Sequence, residues 1–211
     1  MMRNRLFQKT PVLVLFIAVL LTGCGGSPTP VEFYRLNSLS STMQKANPAD
    51  TAQNIAIGIG PVVIPKILDR PQIVTRTGPN TLKVDEFHRW ASPLQADFAK
   101  VLAENISLLL TTDQVAVYPW EAGFKPHYRV ALDIRYFEGQ LGENVFLNTV
   151  WRISSPENQK IQILRTSVIE EPVSATDYKA LVAAESQAIA QLSREIAREI
   201  RKLQAGGETR D

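Results

Sequence analysis

From Tyr128 onward the chain alternates apolar and polar residues with a period of two. Tyr128, Val130, Leu132, Ile134 and Tyr136 share one parity, with Arg129, Asp133 and Arg135 between them. Val145, Leu147, Trp151 and Ile153 repeat the pattern against Asn148 and Arg152. Successive side chains of an extended chain point to opposite sides, so each run predicts a strand with one face on a core. Residues 161–169 supply a third strand, and the set predicts an antiparallel meander. Upstream, residues 31–36 read as a short strand, and Ile55, Ile57 and Ile59 alternate with Ala56, Gly58 and Gly60. That second pattern predicts a strand whose glycine face is closely approached by another group. Residues 72–77 and 81–86 flank Gly78-Pro79-Asn80 as a hairpin, and residues 115–118 form a short strand ended by Pro119.

Two stretches switch to a helical period. Leu94, Phe98, Val101, Leu102, Ile106 and Leu109 follow Ser92-Pro93-x-Gln95, which reads as an N-cap, a first-turn Pro and a capping-box Gln. This helix is expected to end near Leu110. Val182, Ile189, Leu192, Ile196, Ile200 and Leu203 form the stripe of the second, opened by Ser174-x-x-Asp177 and ended by Gly206-Gly207. Arg194, Arg198, Arg201 and Lys202 complement its C-terminal end. The polar stretch 37–54 predicts a mobile loop. Together these give one α/β domain over residues 31–205, a mixed sheet of five or more strands with two long helices, and a flexible tail at 206–211.

The N-terminus follows a different logic. Arg3, Arg5 and Lys9 precede an unbroken apolar run of ten residues, Val12 to Leu21. Crossing about 30 Å of hydrocarbon takes roughly 20 helical residues, so the run has the size of a signal-peptide core rather than a span. Leu21-Thr22-Gly23-Cys24 follows and resembles the lipobox of bacterial lipoproteins. In such proteins the peptide before the Cys is removed and the Cys is lipidated. Residues 1–23 are thus expected to be a signal peptide, and residues 24–30 a lipidated Cys24 with a Gly/Ser/Pro tether. Cys24 is the only cysteine, leaving no thiol for a disulfide or a nucleophile. Gly25, rather than Asp, follows it, which in that family favours the outer membrane.

The composition narrows the chemistry. The 211 residues carry a formal net charge of +2, and loss of residues 1–23 leaves 20 basic against 21 acidic side chains. Such a balance argues against a nucleic-acid binder. His88 and His127 are the only histidines and stand in no metal-ligand spacing. No nucleophile elbow or phosphate-binding Gly-Lys loop occurs, and in Gly58-Ile59-Gly60 the third dinucleotide glycine is replaced by Val63. The expectation is no catalytic residue, no metal and no cofactor. His88 reads as structural, the pairs Asp85-Glu86 and Glu170-Glu171 as solvated, and the C-terminal basic cluster with Glu195 and Glu199 as an exposed helix face.

The stretch from Ile64 to Trp90 is the most distinctive part of the chain. Asp69-Arg70-Pro71-Gln72-Ile73-Val74-Thr75-Arg76, the following turn, Glu86, Arg89-Trp90-Ala91, Pro93-Leu94 and Val101-Leu102-Ala103-Glu104-Asn105 resemble the PqiC-type ABC-transport auxiliary lipoproteins. The resemblance runs from about Val31 to Leu203. It implies a fold like the TolB N-terminal domain, an outer-membrane lipid anchor, and a non-enzymatic role beside an Mce-domain protein. Mce proteins form periplasmic tunnels for lipids, and the lipoprotein would dock the outer end. Expected partners are therefore an Mce protein, the membrane through Cys24 and further copies of the chain. The contact residues expected are Asp69, Arg70, Pro71, Gln72, Arg76 and Trp90. A rigid turn at Asp69-Arg70-Pro71 and a core position for Trp90 stand as the alternatives. Contact with peptidoglycan-related or other periplasmic partners is the competing function, and a hydrolase is disfavoured for want of a nucleophile–base set.

Overall fold

The computed structural model describes residues 29–39, 54–156 and 160–207. Cys24, the signal segment and most of the 37–54 stretch lie outside them. A boundary between compact units falls after Pro30, and the fold below is that of the unit beginning at Val31.

The elements are β1 (Glu32–Tyr34), β2 (Ile57–Val63), β3 (Gln72–Gly78), β4 (Thr81–Trp90), α1 (Leu94–Leu110), β5 (Val115–Val117), β6 (Tyr128–Gly139), β7 (Asn144–Ser154), β8 (Ile161–Pro172) and α2 (Tyr178–Gly207). The eight strands make one mixed sheet. The helices touch each other and share a single core cluster with the inward side chains of the sheet, so they cover one face. Ile57, Ile59, Val130, Leu147, Trp151 and Ile153 meet Phe98, Leu102, Ile106, Leu181, Ile189 and Leu192 there. Leu181 apart, these are the residues that the periods of two and 3.6 single out.

β6, β7 and β8 form the expected meander, pairing Val130 with Ile153 and Leu147 with Ile169. The other side of β6 is shared. Its first half runs parallel to β2, and Gly139 at its end meets Thr75 of β3. A register shift between Ile134 and Tyr136 changes the parity. Phe137 is therefore buried and Tyr136 is 52% exposed, which corrects the strict alternation expected to Tyr136.

At the first helix start the local signal yields to a tertiary partner, and at the second a local cap holds. Pro93 occupies the N-cap position of α1 without a side-chain cap, and the Gln95 amide donates to the Val62 carbonyl of β2 instead of closing a capping box. In α2 the cap is Asp177, whose Oδ1 accepts the Ala180 N–H at 2.8 Å, and the helix continues through Gly206 and Gly207. The segment after β1 is also held. Backbone N–H groups of Leu36 and Leu39 donate to Asp97 Oδ2 (2.8 Å) and Asn105 Oδ1 (2.7 Å) of α1, and that of Asn37 to Ser186 Oγ of α2. Residues 37–39 are thus pinned between the helices rather than part of a mobile loop. A backbone that pairs with no strand still needs partners, which accounts for two buried polar side chains on α1.

The acidic face of α2 is likewise turned inward. Glu199 is buried and pairs with Arg165 of β8 (3.1 Å) and with Lys202 (2.8 Å). The Ser167 hydroxyl donates to Glu195 and accepts the Trp151 indole N–H at 2.8 Å. Glu195 and Glu199 fasten α2 to the meander, correcting the expectation of an ordinary exposed face.

Candidate partner-binding surface

The residues between β2 and β3 build a compact turn from their own backbone. Leu68 N–H donates to Pro65 O (2.9 Å), Asp69 N–H to Lys66 O (3.2 Å) and Arg70 N–H to Leu68 O (2.9 Å). Leu68 is buried and anchors the turn in the core. Pro71 then gives its carbonyl to the Trp90 N–H at 2.7 Å, and Ala91 N–H donates to Tyr34 O at 2.7 Å, so turn, β4 and β1 are stitched at one end of the sheet. Asp69, Arg70, Pro71 and Trp90, with Ala91, Ser92 and Pro93, line a single surface cleft. Trp90 is 6% exposed and belongs chiefly to the core while forming part of the cleft wall.

Arg70 is the polar centre of this cleft. Its Nε is buried and has no hydrogen-bond partner, and among the described residues its guanidinium joins no salt bridge. A buried guanidinium N–H without an acceptor is costly, so a carboxylate arriving from outside would be well received. Gln72 stands just beyond, on the exposed surface, donating to Glu86 at 3.2 Å, and Glu86 also pairs with Arg89 at 3.2 Å.

Arg76 is not part of this group. Its guanidinium pairs with Glu138 of β6 at 2.7 Å and donates to the carbonyls of Gly78 (3.3 Å) and Pro79 (2.8 Å), locking the β3–β4 turn to β6. It lines a different hollow with Tyr136, Phe146, Asn148 and Val168 on the outer face of the meander.

Asp85 corrects a further expectation. It is 8% exposed, not solvated. Oδ1 accepts the backbone N–H groups of Phe87 (3.0 Å) and His88 (3.1 Å) and lies 2.7 Å from His88 Nδ1. Oδ2 faces Lys83 Nζ at 2.9 Å and the Tyr178 hydroxyl at 3.1 Å. Burial pushes this carboxyl up, but the Lys83 ammonium, the His88 ring, the Phe87 N–H and the Tyr178 hydroxyl outweigh it and hold it well below the usual carboxylate range. His88 stacks on Tyr178 with centroids 3.9 Å apart. The cluster clamps the first turn of α2 to β4, giving His88 the structural role expected of it. Nothing in the local sequence reveals this, because Tyr178 is 93 positions from Asp85. Among the described residues no group of three His, Cys, Asp or Glu side chains is placed to hold a metal ion, and no helix is long and apolar enough to cross a membrane.

The family model described as "ABC-type transport auxiliary lipoprotein component" matches residues 37–197. A solved structure of an uncharacterized protein, 22% identical, superposes with a TM-score of 0.65, covering 81% of this chain and 99% of its own. Protein XCC0632 from Xanthomonas campestris, also 22% identical, gives a TM-score of 0.61 and covers 78% of this chain and 92% of its own. At this identity both establish a shared fold. No curated protein matches the chain.

Proposed function

Since the chain belongs to the family of ABC-type transport auxiliary lipoprotein components, we propose that it is a non-enzymatic, lipid-anchored subunit that docks the outer end of a periplasmic Mce tunnel at the outer membrane. Cys24 carries the anchor in this reading, and the tether places the domain within reach of the bilayer. The observation that carries the docking role is the cleft at Asp69, Arg70, Pro71 and Trp90, where a cation stands without an internal partner on a turn rigidified by Pro71. Preformed turns lose little entropy on binding, and a guanidinium in a cleft matches the planar geometry of a carboxylate. The occupant would be an acidic side chain of the tunnel protein, flanked by apolar contacts on Trp90 and Pro93. Gln72 extends the contact along the exposed end of β3, and Arg76 contributes only by fixing the hairpin.

Replacing Arg70 with Glu tests this. An Mce-domain protein co-expressed with the chain is expected to co-purify with the parent and to be lost from Arg70→Glu, while the melting temperature stays close to that of the parent. Among the described residues Arg70 joins no ion pair that the change would break, and substitutions that disrupt no buried network change stability by only about 0.5 kcal/mol. Undiminished co-purification, or a large fall in melting temperature, would overturn the docking role.

A further inference from the structure

At the β1 edge the outer face of the sheet carries exposed apolar side chains: Phe33 is 66% exposed, Phe87 45% and Val31 41%. The parallel register sets Phe33 opposite Arg89, and continued two steps earlier it brings Val31 level with Phe87. Tyr34 and His88 turn inward to the ring of Tyr178, at centroid distances of 6.3 and 3.9 Å. Phe33 and Phe87 face solvent at this edge, beside the stretch between Val84 and Arg89 where β4 shifts register against β3. Arg89, about a third exposed, donates its Nε to the Glu86 carbonyl at 3.0 Å and pairs through Nη2 with the Glu86 carboxylate at 3.2 Å, which leaves Nη1 beside the patch.

What lies next to this patch is set by the chain itself. Val31 is seven positions after Cys24, a distance that even a fully extended chain spans with about 25 Å. With a lipid on Cys24, the edge that follows the tether is the part of the domain held nearest the bilayer. This step rests on the lipidation reading above. Two exposed aromatic rings are too few to hold a free protein on a membrane. A short tether changes that, because it makes the second contact intramolecular, with an effective concentration of the order of millimolar. Aromatic side chains favour the headgroup boundary, where the ring leaves water without entering the acyl core, and a flanking guanidinium matches lipid phosphate.

We propose that Val31, Phe33, Phe87 and Arg89 form a membrane-contact patch that lays the β1 edge on the phospholipid surface holding the anchor. The patch orients the domain on the membrane and leaves β7 and β8, at the other side of the sheet, away from it.

The test uses the full chain in its own membrane, with the photoreactive p-benzoylphenylalanine in place of Phe33, Phe87 or, as control on β6, Tyr136. After growth on radiolabelled phosphate and irradiation, phospholipid adducts are expected at positions 33 and 87, several-fold above position 136. In a chain carrying Phe33→Ser, the adduct at position 87 is expected to fall while the cooperative melt persists. Adducts at 33 and 87 to protein alone, or lipid adducts no more frequent than at 136, overturn the proposal. Palmitate labelling of the same samples reports on Cys24 separately. Label without lipid adducts removes the patch and keeps the anchor, whereas lipid adducts without label keep the patch and remove the anchor.

Discussion

Glu185 sits within the apolar stripe of α2, only 2% exposed, and its Oε2 has no partner. Burial pushes its carboxyl up to about 8, so the folded chain keeps this group protonated where the unfolded chain has lost the proton. A carboxyl raised on folding costs stability as pH climbs between the two values. Stability should therefore decline from about pH 4.5 towards pH 8, by up to roughly 1.4 kcal/mol per pH unit from this site. Glu185→Gln keeps the shape and removes the titration. Its melting temperature should exceed the parent's at pH 8 and converge with it near pH 5, and parallel pH profiles would refute the assignment. Asp85 acts in the opposite sense: held below its ordinary range, it stabilises above about pH 4 and loses that contribution as pH falls further. Neither behaviour is visible in the sequence, where one residue is an unremarked acid on a helix and the other an acid beside Glu86.

At the scale of elements, helices and strands follow the hydrophobic periods, whereas their ends follow tertiary contacts. Gly58 shows the period working as expected. The glycine face of β2 is closely approached, for a Cβ at Gly58 would lie 2.9 Å from the ring of Trp120. The end of α1 shows the limit. Thr111 takes left-handed backbone angles, φ 53° and ψ 48°, while its N–H and that of Thr112 close the last turn on Leu108 and Ser107. A β-branched residue is strained there, and Gly adopts the same angles freely. Thr111→Gly should raise stability by roughly 0.5–1 kcal/mol, read as a higher denaturant midpoint with an unchanged slope. A lower midpoint would show that the threonine side chain contributes more than its backbone costs.

The described domain is a sheet with its two helices on one face, in a chain that the family describes as a lipoprotein. The uncovered face divides by position: aromatic residues beside Arg89 at the β1 edge, and Tyr136, Phe146, Leu164 and Val168 on the meander. The first group lies at the N-terminal edge of the described domain, and the second on the exposed side of the meander. Everything assigned to the first depends on the anchor. Cys24→Ala should abolish palmitate incorporation and leave an unprocessed precursor of higher mass. Full labelling of that variant would place the lipid elsewhere and dissolve the membrane geometry.

The sequence by itself determined the order of strands and helices, the inward residues, the meander and the family. These depend on periodicity and on contiguous motifs, which one chain displays directly. It also grouped Asp69, Arg70, Pro71 and Trp90, because a turn and a strand end recur together in the family motif. Only the tertiary structure decided which of the neighbouring polar residues remain free. Arg76 is consumed by Glu138, 62 positions away, and Asp85 by Tyr178, 93 positions away, while Arg70 joins no salt bridge among the described residues. The pairing of a charge is a property of what folding brings within about 4 Å, and separation along the chain carries no record of it.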